Sequence, residues 1–252
     1  MPRRLRVEAL GYHHVYNRGV AKSDVFLDEV DKAKFIELLA LVAREFKFNI
    51  HSFCLMDNHY HLLVENKREN LSSGMRQLNA QYASYFNKRH NRVGHLWQDR
   101  FKSSYVMDEA YLFTLFKYIE TNPIKAKLTT QVGEYLYCAT YSILRDAIPP
   151  FLQNSFVLRD YHTKELFEML VLPISEDELE KVAMVHKTRY KKENDSIVTV
   201  HQSPLESHLA VYQSKLERNN AIKKAHEDGY SKTVIAKYLL LSVAGVSKIL
   251  KS

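Results

Sequence analysis

Only two cysteines, Cys54 and Cys138, occur in 252 residues. Their spacing matches no metal-binding pattern, which excludes both a disulfide scaffold and a thiolate zinc site. No apolar run is long enough to cross a bilayer. The basic N-terminus, Met1-Pro2-Arg3-Arg4-Leu5-Arg6, lacks the apolar core of a secretion signal. No internal repeat or low-complexity tract is visible. The expectation is a cytoplasmic protein with no membrane partner.

Hydrophobic residues make up 46% of the chain, enough for one large domain or two smaller ones. The formal net charge is +7, a balance that favours polyanionic partners. It is concentrated early. Residues 1–130 carry 20 basic against 14 acidic side chains, and the remainder 16 against 15.

Residues 12–18, Tyr-His-His-Val-Tyr-Asn-Arg, read as a strand broken by Gly19. From Asp28 an apolar stripe of Phe35, Ile36, Leu38, Leu39, Val42 and Phe46 predicts a helix. Residues 48–56 and 59–65 read as a hairpin about the turn pair Asp57-Asn58. A second helix is expected over 71–88, a last strand over 96–106, and a third helix from Asp108 that stops before Pro123. The order β-α-β-β-α-β-α predicts an α+β fold, a ferredoxin-like antiparallel sheet with one extra helix. The simplest architecture has the helices on one face. Pro149-Pro150 suggests a boundary. The expected division is an α+β domain over 1–148, a helical connecting region over 149–206 with a polar linker at 194–204, and an all-α C-terminal part over 207–252. Ser231 and Ser242 as N-caps, with Ala236 between them, give that last part a helix-turn-helix pattern, although leucine stands where the turn glycine is usual.

His59 and His61 lie two apart on an expected strand, so their side chains share a face. Two adjacent imidazoles can chelate one metal ion, though in a chain with 12 histidines the triplet alone is weak. Tyr118 and Asn122 are four apart and share a helical face. A phenol with a pKa of ~10 is a poor nucleophile at neutral pH and needs a metal or a base. Asn122 offers an amide oxygen as a third ligand, and such a mixed donor set suits Mg²⁺ or Mn²⁺. Tyr111 is the second-choice nucleophile. The competing reading of both tyrosines is a core aromatic, and of Asn122-Pro123 a plain helix stop.

The segment Leu55-Met56-Asp57-Asn58-His59-Tyr60-His61-Leu62-Leu63-Val64 resembles the His-hydrophobic-His motif of the HUH single-tyrosine transposases. Tyr118-Ile119-Glu120-Thr121-Asn122-Pro123-Ile124-Lys125-Ala126 resembles their tyrosine helix, in particular that of the REP-associated type. Residues 16–19 and 94–102 are similar to the same family, so the resemblance spans about 10–130. It implies that His59 and His61 are metal ligands. It implies that Tyr118 is the nucleophile, leaving a 5′-phosphotyrosine and a free 3′-hydroxyl on single-stranded or hairpin DNA. Asn122 stands where related insertion-sequence enzymes usually carry glutamine.

Single-stranded DNA is held by a basic groove with aromatic platforms. Arg18, Arg76, Arg89, Arg92, Arg100 and Lys102 are the candidates for the groove, and Trp97 and Phe101 for the platforms. The competing reading makes the aromatics core and the arginines a solvated face. In the last helix Ser247 and Lys248 are candidates for duplex contacts. The alternative function is a DNA-binding protein without cleavage. A replication initiator or relaxase would bring further domains or tyrosines. The oligomeric state stays open.

Overall fold

The computed structural model describes residues 7–188, 190–193, 196–199, 204–209, 212–228 and 230–250. The chain divides into two compact units, Met1–Val198 and Thr199–Ser252. In the first, strand β1 (Gly11–Arg18) leads to helix α1 (Glu29–Phe46). Asp28 caps α1 by accepting from the Asp31 N–H at 3.0 Å. Lys47, in the left-handed region at φ 58°, ends it. Strands β2 (Phe48–Met56) and β3 (His59–Asn66) follow, then α2 (Leu71–Arg89) and β4 (Lys102–Val106).

The sheet order is β2-β3-β1-β4 and every neighbouring pair is antiparallel. This is the ferredoxin-like plan expected from the element order. The Asp57-Asn58 turn is clamped from outside. The Asp57 carbonyl accepts from the Val25 and Phe26 N–H groups, and the Asn58 carbonyl from that of Gly19. Gly19 is required there, since a Cβ would lie 2.1 Å from the Ser23 carbonyl oxygen. The last strand is shorter than its composition suggests. Residues 96–101 make only isolated ties, with Leu96 and Gln98 bonding the backbone of Val20 and Arg18.

Residues paired directly across an antiparallel ladder share a face. The register therefore gathers His14, Tyr16 and Arg18 of β1, His59 and His61 of β3, Cys54 of β2 and Lys102 and Ser104 of β4 on one face. The opposite face carries Val15, Tyr60, Leu62 and Val64. It is covered by α1 and α2, with Phe35 4.8 Å from Tyr60 between ring centroids.

Here the structure departs from helices on a single face. Beyond β4 come α3 (Leu112–Glu120), α4 (Asn122–Lys125), α5 (Ala139–Ile143), α6 (Phe156–Asp160), α7 (Thr163–Val171) and α8 (Glu176–Lys187). Helix α3 packs on β2 and β3 from the polar side, and α8 packs on α3 and β4. The polar face would otherwise leave a row of imidazoles against solvent; α3 and α8 bury it. Helix α8 starts at a capping box between Ser175 and Glu178. Leu152, Phe156, Val157, Leu166, Leu170 and Val182 join the same core as the sheet, so residues 150–187 are built into the first unit. A further departure is the two-stranded sheet of β5 (Tyr190–Glu193) and β6 (Ser196–Thr199), in a stretch expected to hold only helix and linker.

The second unit holds α9 (Leu205–Leu209), α10 (Lys215–Glu227), α11 (Lys232–Tyr238) and α12 (Val243–Ile249) around Leu205, Leu209, Ile222, Ala225, Ile235, Ala236 and Val246. Ser231 and Ser242 cap α11 and α12 through their hydroxyls. Between these helices Leu240 occupies the left-handed region at φ 53°, where glycine is usual. Among the described residues no helix is long and apolar enough to cross a membrane.

Candidate active site

Strand alternation puts His59 and His61 side by side on the polar face, with ring centroids 5.1 Å apart and the rings nearly perpendicular. Each ring is held through Nδ1. Asn58 donates its amide N–H to the Lys22 carbonyl, so its Oδ1 faces His59 and accepts from Nδ1 at 2.6 Å. His59 thus carries its proton on Nδ1 and keeps a lone pair on Nε2. His61 Nδ1 lies 2.9 Å from His14 Nε2. His61 is 8% exposed and His14 fully buried. Burial pushes the His61 imidazole down to about 3, helped by His59, His186 and Lys125. It lowers His59 too, followed by the Arg18 guanidinium. At neutral pH both rings are uncharged, as metal ligands must be.

Helix α3 brings Tyr118 beside His61. Its ring centroid lies 6.2 Å from those of His61 and His14 and 6.1 Å from that of His186. Burial raises the Tyr118 phenol above its ordinary value, so an attack from this oxygen requires electrostatic help. Lys125, one turn beyond α3, sets its ammonium 4.5 Å from the Tyr118 ring centroid. Asn122 donates its amide N–H to the Tyr118 and Ile119 carbonyls at 2.8 and 3.2 Å. Its Oδ1 makes no hydrogen bond among the described residues. Tyr111 differs: it is 7% exposed and its hydroxyl is buried without a partner.

As a donor set, two neutral imidazoles and one amide oxygen suit a divalent cation of intermediate hardness. Among the described residues no three His, Cys, Asp or Glu side chains form a ready metal cage, so the donor set is an open one.

The expected DNA-binding residues sort into two kinds. Arg18, Arg76, Arg100, Lys102 and Lys248 are exposed. Arg18 and Lys102 flank the polar face, with the Lys102 ammonium 5.9 Å from the Tyr16 ring centroid. Arg89 is paired with Asp28 and Asp31. Arg92 bonds Asn87 and the His95 carbonyl. Trp97 donates to the Asn79 carbonyl and packs beside Tyr60 and Tyr82, and Phe101 is buried. Ser247 accepts from the Lys232 ammonium at 2.9 Å.

Four residues of the site were not singled out by sequence: His14, Tyr16, His186 and Lys125. The alternation that marked His61 also marks His14 and Tyr16 once the β1–β3 register is known. His186 lies 125 residues from His61 on another helix and carries no local signal.

Residues 6–122 match the family model described as "Transposase IS200 like". Among solved structures, the chain is similar to a REP-associated tyrosine transposase bound to a REP hairpin, at 18% identity over 60% of this chain and 88% of that one, with a TM-score of 0.48. It is also similar to a transposase candidate of Deinococcus radiodurans R1, at 16% identity over 48% and 97%, TM-score 0.34. A third is the Saccharomyces cerevisiae tRNA(His) guanylyltransferase, at 11% identity over 75% and 85%, TM-score 0.37. No curated protein matches. The match to the IS200-like transposase model runs from residue 6 to Asn122, through the sheet and the tyrosine helix, and it is this part of the chain that is similar to that family.

Proposed function

We propose that the protein nicks and rejoins single-stranded DNA, with Tyr118 as nucleophile. The observation that carries this reading is the approach of the Tyr118 ring to His61, 6.2 Å between ring centroids, with His59 next to His61. A divalent ion, Mg²⁺ or Mn²⁺, would be held by Nε2 of His59 and His61 with Oδ1 of Asn122, and when bound it supplies Lewis-acid polarisation of the scissile phosphate. The Tyr118 oxygen gives up its proton to solvent and bonds to phosphorus. The bond from phosphorus to the 3′ oxygen breaks, and that oxygen leaves as a hydroxyl after gaining a proton. The product is a 5′-phosphotyrosine. Attack on it by a 3′-hydroxyl reverses the step and joins strands without an external energy source. The Lys125 ammonium steadies the developing phenolate and the phosphate oxygens.

The proposed DNA track runs past Arg18, Arg100 and Lys102, whose charges are exposed; Arg76, Arg89, Arg92 and Trp97 are the more distant candidates. A hairpin or repeat is the proposed substrate, in keeping with the hairpin held by the REP-associated relative. The second unit, with α11 and α12 as a helix-turn-helix, would bind duplex DNA through Ser247 and Lys248.

The test is incubation of the full chain with labelled single-stranded DNA from the flanks of its own gene, with and without Mg²⁺, followed by denaturing electrophoresis. A protein-linked product that needs the ion and vanishes in Tyr118→Phe, with binding retained, is the expected result. An adduct that persists in that variant refutes the nucleophile. A wild-type protein that binds duplex tightly and forms no adduct is a DNA binder without cleavage.

A further inference from the structure

Three imidazoles run in line behind the candidate metal ligands. His61 Nδ1 meets His14 Nε2 at 2.9 Å, and His14 Nδ1 meets His186 Nε2 at 2.7 Å. His14 is fully buried and spends both nitrogens on the other two rings, so the three cannot converge on one ion as they stand. The contacts are hydrogen bonds, and each needs one proton between its two nitrogens.

A row of neutral imidazoles of this kind has only two consistent arrangements. In one, His61 donates from Nδ1 to His14, and His14 donates from Nδ1 to His186. In the other every proton points back, and His61 carries its proton on Nε2. Only the first leaves a lone pair on His61 Nε2. His59 has no such choice, because Asn58 is itself oriented by the Lys22 carbonyl.

We propose that His14 and His186 are positioning residues that set the tautomer and ring orientation of His61, so that helix α8, far along the chain, completes the metal site of the sheet. The inference rests on the reading of His59 and His61 as ligands. Partners that accept from the far nitrogen of a ligating histidine fix its tautomer and raise its basicity, and their loss typically costs roughly 10–100-fold in metal affinity. In the forward arrangement His14 supplies that acceptor, and His186 accepts in turn from His14.

The experiment titrates the full-length protein with Mn²⁺ alone, in the absence of DNA, and follows free Mn²⁺ by electron paramagnetic resonance. His14→Leu is expected to weaken binding roughly 10–100-fold. His14→Gln keeps an acceptor near Nε2 and should recover part of the loss. His186→Ala should weaken binding less than His14→Leu. Because His14 is fully buried, His14→Leu may be replaced in the comparison by His186→Ala, at a half-buried site, if the former does not fold. Hairpin binding in chelator should stay at the wild-type level in every folded variant. Long-range ¹⁵N spectra of the metal-free wild type provide the second readout, with the proton expected on Nδ1 of both His61 and His14. Unchanged Mn²⁺ affinity in the folded variants overturns the inference, as does a His61 that holds its proton on Nε2. If the wild type binds no Mn²⁺, the ligand reading itself has failed, and the inference that depends on it falls with it.

Discussion

Glu120 ties the tyrosine helix to the sheet, and its charge state should set the pH dependence of the first unit's stability. Its carboxyl accepts from the Ser52 hydroxyl at 2.6 Å, the Thr140 N–H at 2.9 Å and the Thr140 hydroxyl at 2.7 Å. These bonds favour the carboxylate, yet burial outweighs them and pushes the group up to about 7. A folded value above the unfolded one means that the fold prefers the protonated acid. The stabilisation is fully present below about 4.5 and is lost as pH rises through about 7. At 1.36 kcal/mol per pKa unit, the loss between pH 4.5 and pH 8 is about 3 kcal/mol. Glu120→Gln removes the titration and keeps the shape, with the amide oxygen toward Thr140 and the amide N–H toward the Ser52 oxygen. Histidines with lowered values, such as His61 and His59, act in the opposite sense and destabilise as pH falls below the unfolded value of about 6.5. They cancel in the difference between variant and wild type. Urea unfolding followed by Trp97 fluorescence reads the first unit alone, since it is the only tryptophan. The variant should gain about 3 kcal/mol over the wild type between pH 4.5 and pH 8. A difference that stays constant over that range refutes the argument.

Tyr111→Phe should leave the DNA adduct intact while Tyr118→Phe abolishes it, as read on a denaturing gel; loss in both would place Tyr111 in the chemistry. Lys125→Gln should slow single-turnover adduct formation by ~10²-fold, the scale of one lost transition-state donor, with hairpin affinity little changed; an unaltered rate excludes Lys125 from the step. Trp97→Ala removes a ring packed beside Tyr60 and Tyr82 and should cost about 3 kcal/mol in unfolding measured by circular dichroism, while DNA affinity well below the transition is kept; a selective loss of affinity would restore Trp97 as a stacking platform. A fragment ending at residue 148 lacks six buried apolar side chains between Leu152 and Val182, worth on the order of 10 kcal/mol, comparable to a whole domain's stability. It should aggregate on expression, whereas a fragment ending at residue 198 should be monodisperse by size exclusion. A well-folded 1–148 fragment would refute this accounting of the core.

The ferredoxin-like plan was legible because its signals are local. Alternation marks β1 and β3, Asp57-Asn58 marks the turn between β2 and β3, and the apolar stripe from Phe35 to Phe46 marks α1. What failed needed partners distant in sequence. Residues 96–101 have a strand's composition, but Trp97 is bonded to α2 and the backbone around it to β1, so pairing begins only at Lys102. Helices α6 to α8 showed amphipathic periodicity without saying what their apolar sides would meet. Their partner is the far face of the sheet and α3, which no spacing within 149–187 encodes. Ile197-Val198-Thr199 is a β-branched run inside a polar stretch, and the polarity of its neighbours hid β6.

The site divides along the same line. Spacing put His59 and His61 on one strand face and Tyr118 and Asn122 on one helix face, the resemblance gave them their roles, and in the structure the His61 ring lies beside both His59 and Tyr118. His14 was masked by its neighbour His13, which points to the other face and donates from Nε2 to the Ala9 carbonyl at 3.0 Å. The two faces of the same strands then make the functional argument. One packs Val15, Tyr60, Leu62 and Val64 against α1 and α2, with His13 and Asn17 as its buried polar members. The other buries His14, His61 and half-buries Tyr16 and His59 under α3 and α8. A buried imidazole without a well-placed partner is costly, and aliphatic residues would fill that layer at no such cost. A row of linked imidazoles gathered under the tyrosine helix in one layer is expected where the chemistry lies.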